Sequence, residues 1–289
     1  MNRLDIEQRA KILGCLVEGV SVRATSRMTG ASKVTILKLL ADVGAACYAY
    51  HDKVMQNLPC KRVQADEVWS FCYAKEKNVP EKCKGTFGFG DVYTWTALCA
   101  DTKLIIGYRI DRRDEQAAHA FIHGLSGRFA SRIQLTTDGH KAYIMAVEDA
   151  FGADIDYGML IKLYSHDGSK EDSRKYSPGE CCGIRKRKIS GNPVLKDVST
   201  SYVERMNLNM RMGMRRFTRL TNAFSKKIEN HFHALAIYFM FYNFGRIHQT
   251  LRVTPAMEAK LTDHVWSLEE IAALADRQES VSSAKTVPA

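Results

Sequence analysis

The chain has 289 residues, too long for one minimal domain and enough for a small domain beside a medium one. Hydrophobic residues make up 45% and charged residues 26%, the balance of a soluble globular protein able to bury a core. The formal net charge of +10 favours a polyanionic partner, and the longest apolar run, residues 234–244, is too short to span a bilayer.

The charge is concentrated. Between Lys162 and Glu229 stand 16 Lys and Arg against 7 Asp and Glu, so nearly the whole excess lies in one stretch, as neutralisation of many phosphates requires. None of the 8 cysteines forms a CxxC pair, which removes the usual zinc spacing. Residues 1–18 mix acids and bases without an apolar signal core. A cytoplasmic protein with reduced thiols and no membrane partner is expected.

In chain order, residues 4–42 predict three short helices. Ile6, Ala10, Leu13 and Val17 recur at helical spacing. Gly19 ends the first helix, and Ser21 can cap a second that carries Val22, Ala24 and Met28. Thr29-Gly30-Ala31 makes a turn, and Ser32 caps a third helix with Val34, Ile36, Leu37 and Leu40 expected on its inner side. Helix, short glycine turn, helix is the helix-turn-helix pattern, in which Ser32, Lys33, Thr35 and Lys38 would meet bases and phosphates. An ordinary helical hairpin with solvated lysines fits the same pattern. Residues 43–60 read as a helical linker.

From Lys61 the pattern changes to strands. Val63–Phe71, Val92–Leu98 and Leu104–Ile110 are the first three, followed by a helix over Glu115–Leu125. A short strand over Ile133–Thr137 ends at Asp138-Gly139, then come a helix over Lys141–Phe151 and a strand within Ile155–Leu163. This order implies an α/β fold with a mixed sheet and helices packed on it. Ser165–Pro193, polar and basic, predicts a flexible surface insertion that carries Arg185, Lys186, Arg187 and Lys188. Helices are expected over Asp197–Met214 and Ala223–Phe244, and a disordered tail from Gln278. On the second of these helices, His231 and His233 point to different sides and cannot form a metal face together.

Three acids stand out. Asp66 lies inside an apolar strand, where a carboxylate is costly unless paired or bound to metal. Strand alternation places Asp66 with Gln64 and Val68, and turns Glu67 to the opposite face, away from any site built on Asp66. Asp138 stands at a strand end, where open α/β sheets form sites, though an acid there also suits a plain turn. Glu204 shares a helix face with Asn207, Leu208 and Arg211, a face that could also simply be solvated.

Taken together, ADEVWSF around Asp66, TTDGHKAY around Asp138 and TSYVERMN around Glu204 resemble the DDE transposases of bacterial insertion sequences, most closely the insertion-sequence-one type. The likeness runs from the first helices to the long apolar helix. Glu204 and Arg211, seven positions apart, also match the family habit. The resemblance implies an N-terminal helix-turn-helix over 1–45, a linker over 46–60, and an RNase H-like core over 61–260 with a basic insertion near 165–195. A C-terminal helix and tail over 261–289 would follow. It implies two Mg²⁺ (or Mn²⁺) ions, with Asp66 bridging both, Asp138 on one and Glu204 on the other. Asn207, Arg211 and the run Arg185–Lys188 would hold DNA, and a dimer or larger assembly on DNA is expected. The implied activity is binding of element end repeats, then strand cleavage and strand transfer. An RNase H-fold nuclease that does not join strands, and a DNA-binding repressor with a decayed core, are the alternatives.

Overall fold

The computed structural model describes residues 4–164, 181–218 and 221–284, with side chains as far as Arg277. Three helices come first: α1 (Ile6–Val17), α2 (Val22–Thr29) and α3 (Lys33–Val54). Asp5, Ser21 and Ser32 each accept a hydrogen bond from the backbone N–H three residues on, which satisfies an otherwise orphaned donor. Gly30 closes α2 at φ 73°, a left-handed conformation that glycine adopts without steric cost and that lets the chain turn directly into α3. The helix α3 runs through much of the stretch expected as linker.

Its inner side is only in part the one the sequence suggests. Ile36 and Leu40 are buried as expected, together with Leu39 and Val43, whereas Val34 is 78% and Leu37 36% exposed. Met28 on α2 is also exposed. Apolar identity alone does not fix the inner face of a short helix; the register of its neighbours does.

A six-stranded mixed sheet follows, in the order β3-β2-β1-β4-β5-β6. The strands are β1 (Arg62–Cys72), β2 (Gly90–Cys99), β3 (Ile105–Asp111), β4 (Gln134–Thr137), β5 (Asp156–Tyr164) and β6 (Cys181–Ser190). β1, β2 and β3 form an antiparallel meander; β4 and β5 add parallel to β1. With α4 (Glu115–Ser126) between β3 and β4, and α5 (Ala142–Phe151) between β4 and β5, this is an RNase H-like arrangement. The sixth strand corrects an expectation. Residues 181–190 form an antiparallel edge strand on β5, not a flexible insertion. Residues 165–180 of the expected insertion lie outside the described residues.

After the sheet come α6 (Ser201–Gly213), α7 (Ile228–Met240), the short α8 (Pro255–Glu258) and α9 (Leu268–Ala284). α7 begins later than its apolar run suggests, because Ser225 bridges the end of β1 and accepts from the Tyr73 N–H at 2.8 Å. A π-helical turn, Phe241–Gly245, ends the run. The tail expected from Gln278 is helical as far as Ala284.

The N-terminal helices are built into the same core as the sheet, since Leu13, Leu40, Val43, Leu235 and Ile271 are all buried in one apolar cluster. Arg9 binds Asp276 through both terminal guanidinium nitrogens, at 2.8 and 3.0 Å, tying α1 to α9. The two histidines of α7 face different neighbours: His231 lies between the hydroxyls of Ser70 and Ser225, and His233 backs onto α3. At that crossing a Cβ on Gly44 would come within 2.5 Å of the His233 Cβ and 2.7 Å of its Cα. Gly44→Ala is therefore expected to cost roughly 1–3 kcal/mol, the usual range for overpacking. Urea unfolding measures it; an unchanged midpoint would mean α3 and α7 do not cross this closely. No helix among the described residues is long and apolar enough to cross a membrane.

Candidate metal centre and basic cleft

The site forms where β4 stops. Pairing of β1 with β4 ends at Ala65↔Thr137, so Asp66 and Glu67 are the first β1 residues beyond the shorter strand, and Asp138 leaves β4 beside them. Strand alternation does send Asp66 and Glu67 to opposite faces. Asp66 accepts from Asn207 Nδ2 on α6 at 2.8 Å. On that same face Gln64 Oε1 accepts from the Tyr202 and Val203 N–H groups, fixing the start of α6. Glu67 turns toward α4 and α5 and accepts from Tyr143 Oη at 2.9 Å and Arg113 Nε at 2.7 Å.

Opposite faces do not keep these acids apart. One carboxylate oxygen each from Asp66, Glu67 and Asp138 lie within 4.8 Å of one another. The expectation that Glu67 points away from the site is corrected here. Because β4 ends at this level, Asp138 approaches the strand edge-on and reaches acids on both faces. No one-dimensional signal marks this, since it depends on where the neighbouring strand stops.

Glu204 lines the same cleft but is not in that group of three. Its Oε2 accepts from Lys162 Nζ at 2.5 Å, and its Oε1 from the Thr200 hydroxyl. Asp138 is oriented by its own loop, with Oδ1 accepting from the His140 N–H at 2.9 Å, and Arg113 Nη2 stands 3.9 Å from Oδ2. The cleft, about 840 Å³, is walled by these acids and by Arg113, Lys141, Lys162, Asn207 and Arg211.

Burial first, then the charges of Asp138 and Glu67, push the Asp66 carboxyl up to about 8. Burial and Asp138 likewise raise Glu67, whose side chain is only 2% exposed, while Arg113 opposes the rise. Acids held so close, with one driven toward its neutral form, fit a divalent cation: the donors are hard oxygens, and a cation would restore the charge that burial disfavours. A second polar group agrees. Asn207 Oδ1 is buried in the cleft wall and has no hydrogen-bond partner among the described residues.

Around the cleft the basic residues divide into engaged and free. Lys186 Nζ donates to the carbonyls of Leu195 and Lys196, and Lys188 Nζ to Asn192 Oδ1, so both brace the loop after β6. The side chains of Arg185 and Arg187 have no hydrogen bond or ion pair among the described residues. They oppose Ile161 and Met159 on β5, hence share the sheet face of Ile161, which walls the cleft beside Gly139. On the helices, Lys33 is exposed, Lys38 pairs with Asp42 at 2.6 Å, and the hydroxyls of Ser32 and Thr35 bond each other at 2.9 Å.

No protein-family model matches the chain. No curated protein matches it either. Among solved structures, the crystal structure of the Mos1 strand transfer complex is similar over 83% of this chain and 76% of that chain, at 10% identity and a TM-score of 0.25. So low a score carries no weight for function.

Proposed function

We propose that the chain is a DNA transposase of the DDE type, which cleaves DNA strands at element ends and joins them to a target. The observation that carries this is the convergence of Asp66, Glu67 and Asp138 within 4.8 Å on an RNase H-like sheet, inside a cleft edged by Arg113, Lys162 and Arg211. Asp66 and Asp138 are the ligands common to every plausible set. Glu204 completes it as the motif implies, and Glu67 is the nearer acid in this geometry.

A bound divalent ion would activate the attacking oxygen and stabilise charge on the departing one. The chain's own part is positional. Asn207 orients Asp66 through its Nδ2, and the His140 N–H holds Asp138. Lys162 holds Glu204 at the mouth of the cleft and brings a cation to where a phosphate would enter. Arg113 offsets part of the repulsion between Glu67 and Asp138. The outer side of α2 and α3 is proposed to bind the end repeats, with α3 transmitting that placement to the core through its crossing with α7. Two element ends must meet, so a dimer or larger assembly on DNA is part of the proposal.

The test uses the full chain with labelled duplexes taken from the DNA flanking its reading frame, a supercoiled target plasmid and Mg²⁺ or Mn²⁺. Nicking at an element end followed by covalent joining to the plasmid is expected. Nicking without joining would favour a plain nuclease, and binding without nicking a repressor.

A further prediction concerns the basic edge strand. Changing Arg185 and Arg187 to Gln should lower the slope of log affinity against log salt by about 0.9 for each phosphate no longer neutralised. Changing Lys186 and Lys188 should lower that slope less, because those amines keep their charge but are held against neutral oxygens of the chain rather than free to reach a phosphate. Equal effects of the two pairs would show that the division between engaged and free cations does not govern DNA binding.

A further inference from the structure

Three apolar side chains on α2 and the first two turns of α3 stay in water: Met28 at 68%, Val34 at 78% and Leu37 at 36% exposure. Val34, Leu37 and Lys38 share a helix face by their i, i+3 and i, i+4 spacing, and Lys33 flanks it. This face is opposite the buried Ile36, Leu39, Leu40 and Val43. Val34 sits in the first turn of α3, directly after the Gly30 turn, and the N-terminal residues of the second helix are those that reach base edges in this kind of unit.

The charge around the face indicates what covers it. Residues 20–41 contain Arg23, Arg27, Lys33 and Lys38 and no Asp or Glu, and all four cations are exposed. A surface that is apolar at its centre and flanked by exposed cations fits a polyanion that presents an apolar group. In the major groove of duplex DNA the apolar group on a base edge is the thymine C5 methyl.

We propose that Val34 reads a thymine methyl in the major groove and so sets sequence preference at one position of the bound site. The assignment presupposes the DNA-binding role of α2 and α3 proposed above. Phosphate contacts from Lys33 and Arg27 place the helix, and the contact between Val34 and the methyl selects the base. Lysine reads guanine acceptors or phosphate and cannot select a thymine methyl, and Lys38 is already paired with Asp42.

The experiment starts by selecting bound sequences from a random 20-base-pair duplex library with the full-length protein. Each thymine of the selected site is then replaced by uracil, which removes the methyl alone. One position should respond, with affinity falling about fourfold, the worth of roughly one buried methylene. Val34→Ala should bind the thymine duplex more weakly and become indifferent to uracil at that position, a non-additive pair. Val34→Thr, which keeps one methyl, should recover part of the discrimination. Val34 is mostly exposed, so these variants are expected to fold. A selected site with no uracil-sensitive position overturns this proposal and leaves the DNA-binding proposal standing. So does a Val34→Ala variant that remains fully uracil-sensitive, or one that changes only self-association. Failure to enrich any sequence removes both.

Discussion

Asp66→Asn and Asp138→Asn are each expected to reduce strand cleavage and joining by roughly 10²–10³-fold or more, the scale for losing one preorganised charge-stabilising group. Each change preserves shape and removes a negative charge that a divalent ion needs. DNA binding should survive, because removing an acid from a basic cleft lowers repulsion of phosphate. The structure makes Glu67→Gln informative where the sequence would have made it a silent control. Its carboxylate would be within reach of any ion held by Asp66 and Asp138, and it is buried against Arg113 and Tyr143. Glu204→Gln distinguishes the two ligand sets. If Glu204 closes the site, its variant is inactive and Glu67→Gln is impaired less; if Glu67 closes it, the order reverses. Glu148, exposed on the outer side of α5, is the appropriate control. Cleavage by Asp66→Asn at the parent's rate would remove the chemistry from the proposal.

The second large effect is on pH. The Asp66 carboxyl is held up to about 8 by its burial and by Asp138 and Glu67. An unfolded Asp titrates near ~3.9, so between those values the folded, metal-free chain binds the extra proton. Stability without metal should therefore fall as pH rises from about 4 to about 8, by at most ~1.4 kcal/mol per unit from this group. Asp66→Asn should flatten that decline. Divalent binding has to displace the same proton, so apparent Mn²⁺ affinity should increase about tenfold per unit up to about pH 8 and then level off. Urea unfolding in EDTA and calorimetric Mn²⁺ titrations from pH 6 to 8.5 measure both. A metal affinity independent of pH over this range would mean that Asp66 is ionised throughout and is not confined as described.

Most of the sheet could be read from the chain because β1 to β5 are apolar segments set off by turn residues, and Asp138-Gly139 marks a strand end by its own chemistry. Asn207 was accessible too, since it lies one helical turn from Glu204. Three features were not. β6 is an edge strand exposed on both faces, so it lacks the alternation that betrays a strand, and its basic run looks like a loop. Val34 and Leu37 looked like core because exposed and buried apolar residues are identical in sequence. The approach of Glu67 to Asp138 depends on the length of β4 relative to β1, a tertiary fact that no local pattern encodes.

The most direct test of the proposed centre is anomalous diffraction from crystals of the full chain grown with Mn²⁺. The expected result is an ion bonded by oxygens of both Asp66 and Asp138, at the ~2.0–2.2 Å of a small hard cation, with a third oxygen from Glu67 or Glu204. A cleft without such a peak, at a Mn²⁺ concentration that supports DNA cleavage in solution, would contradict it.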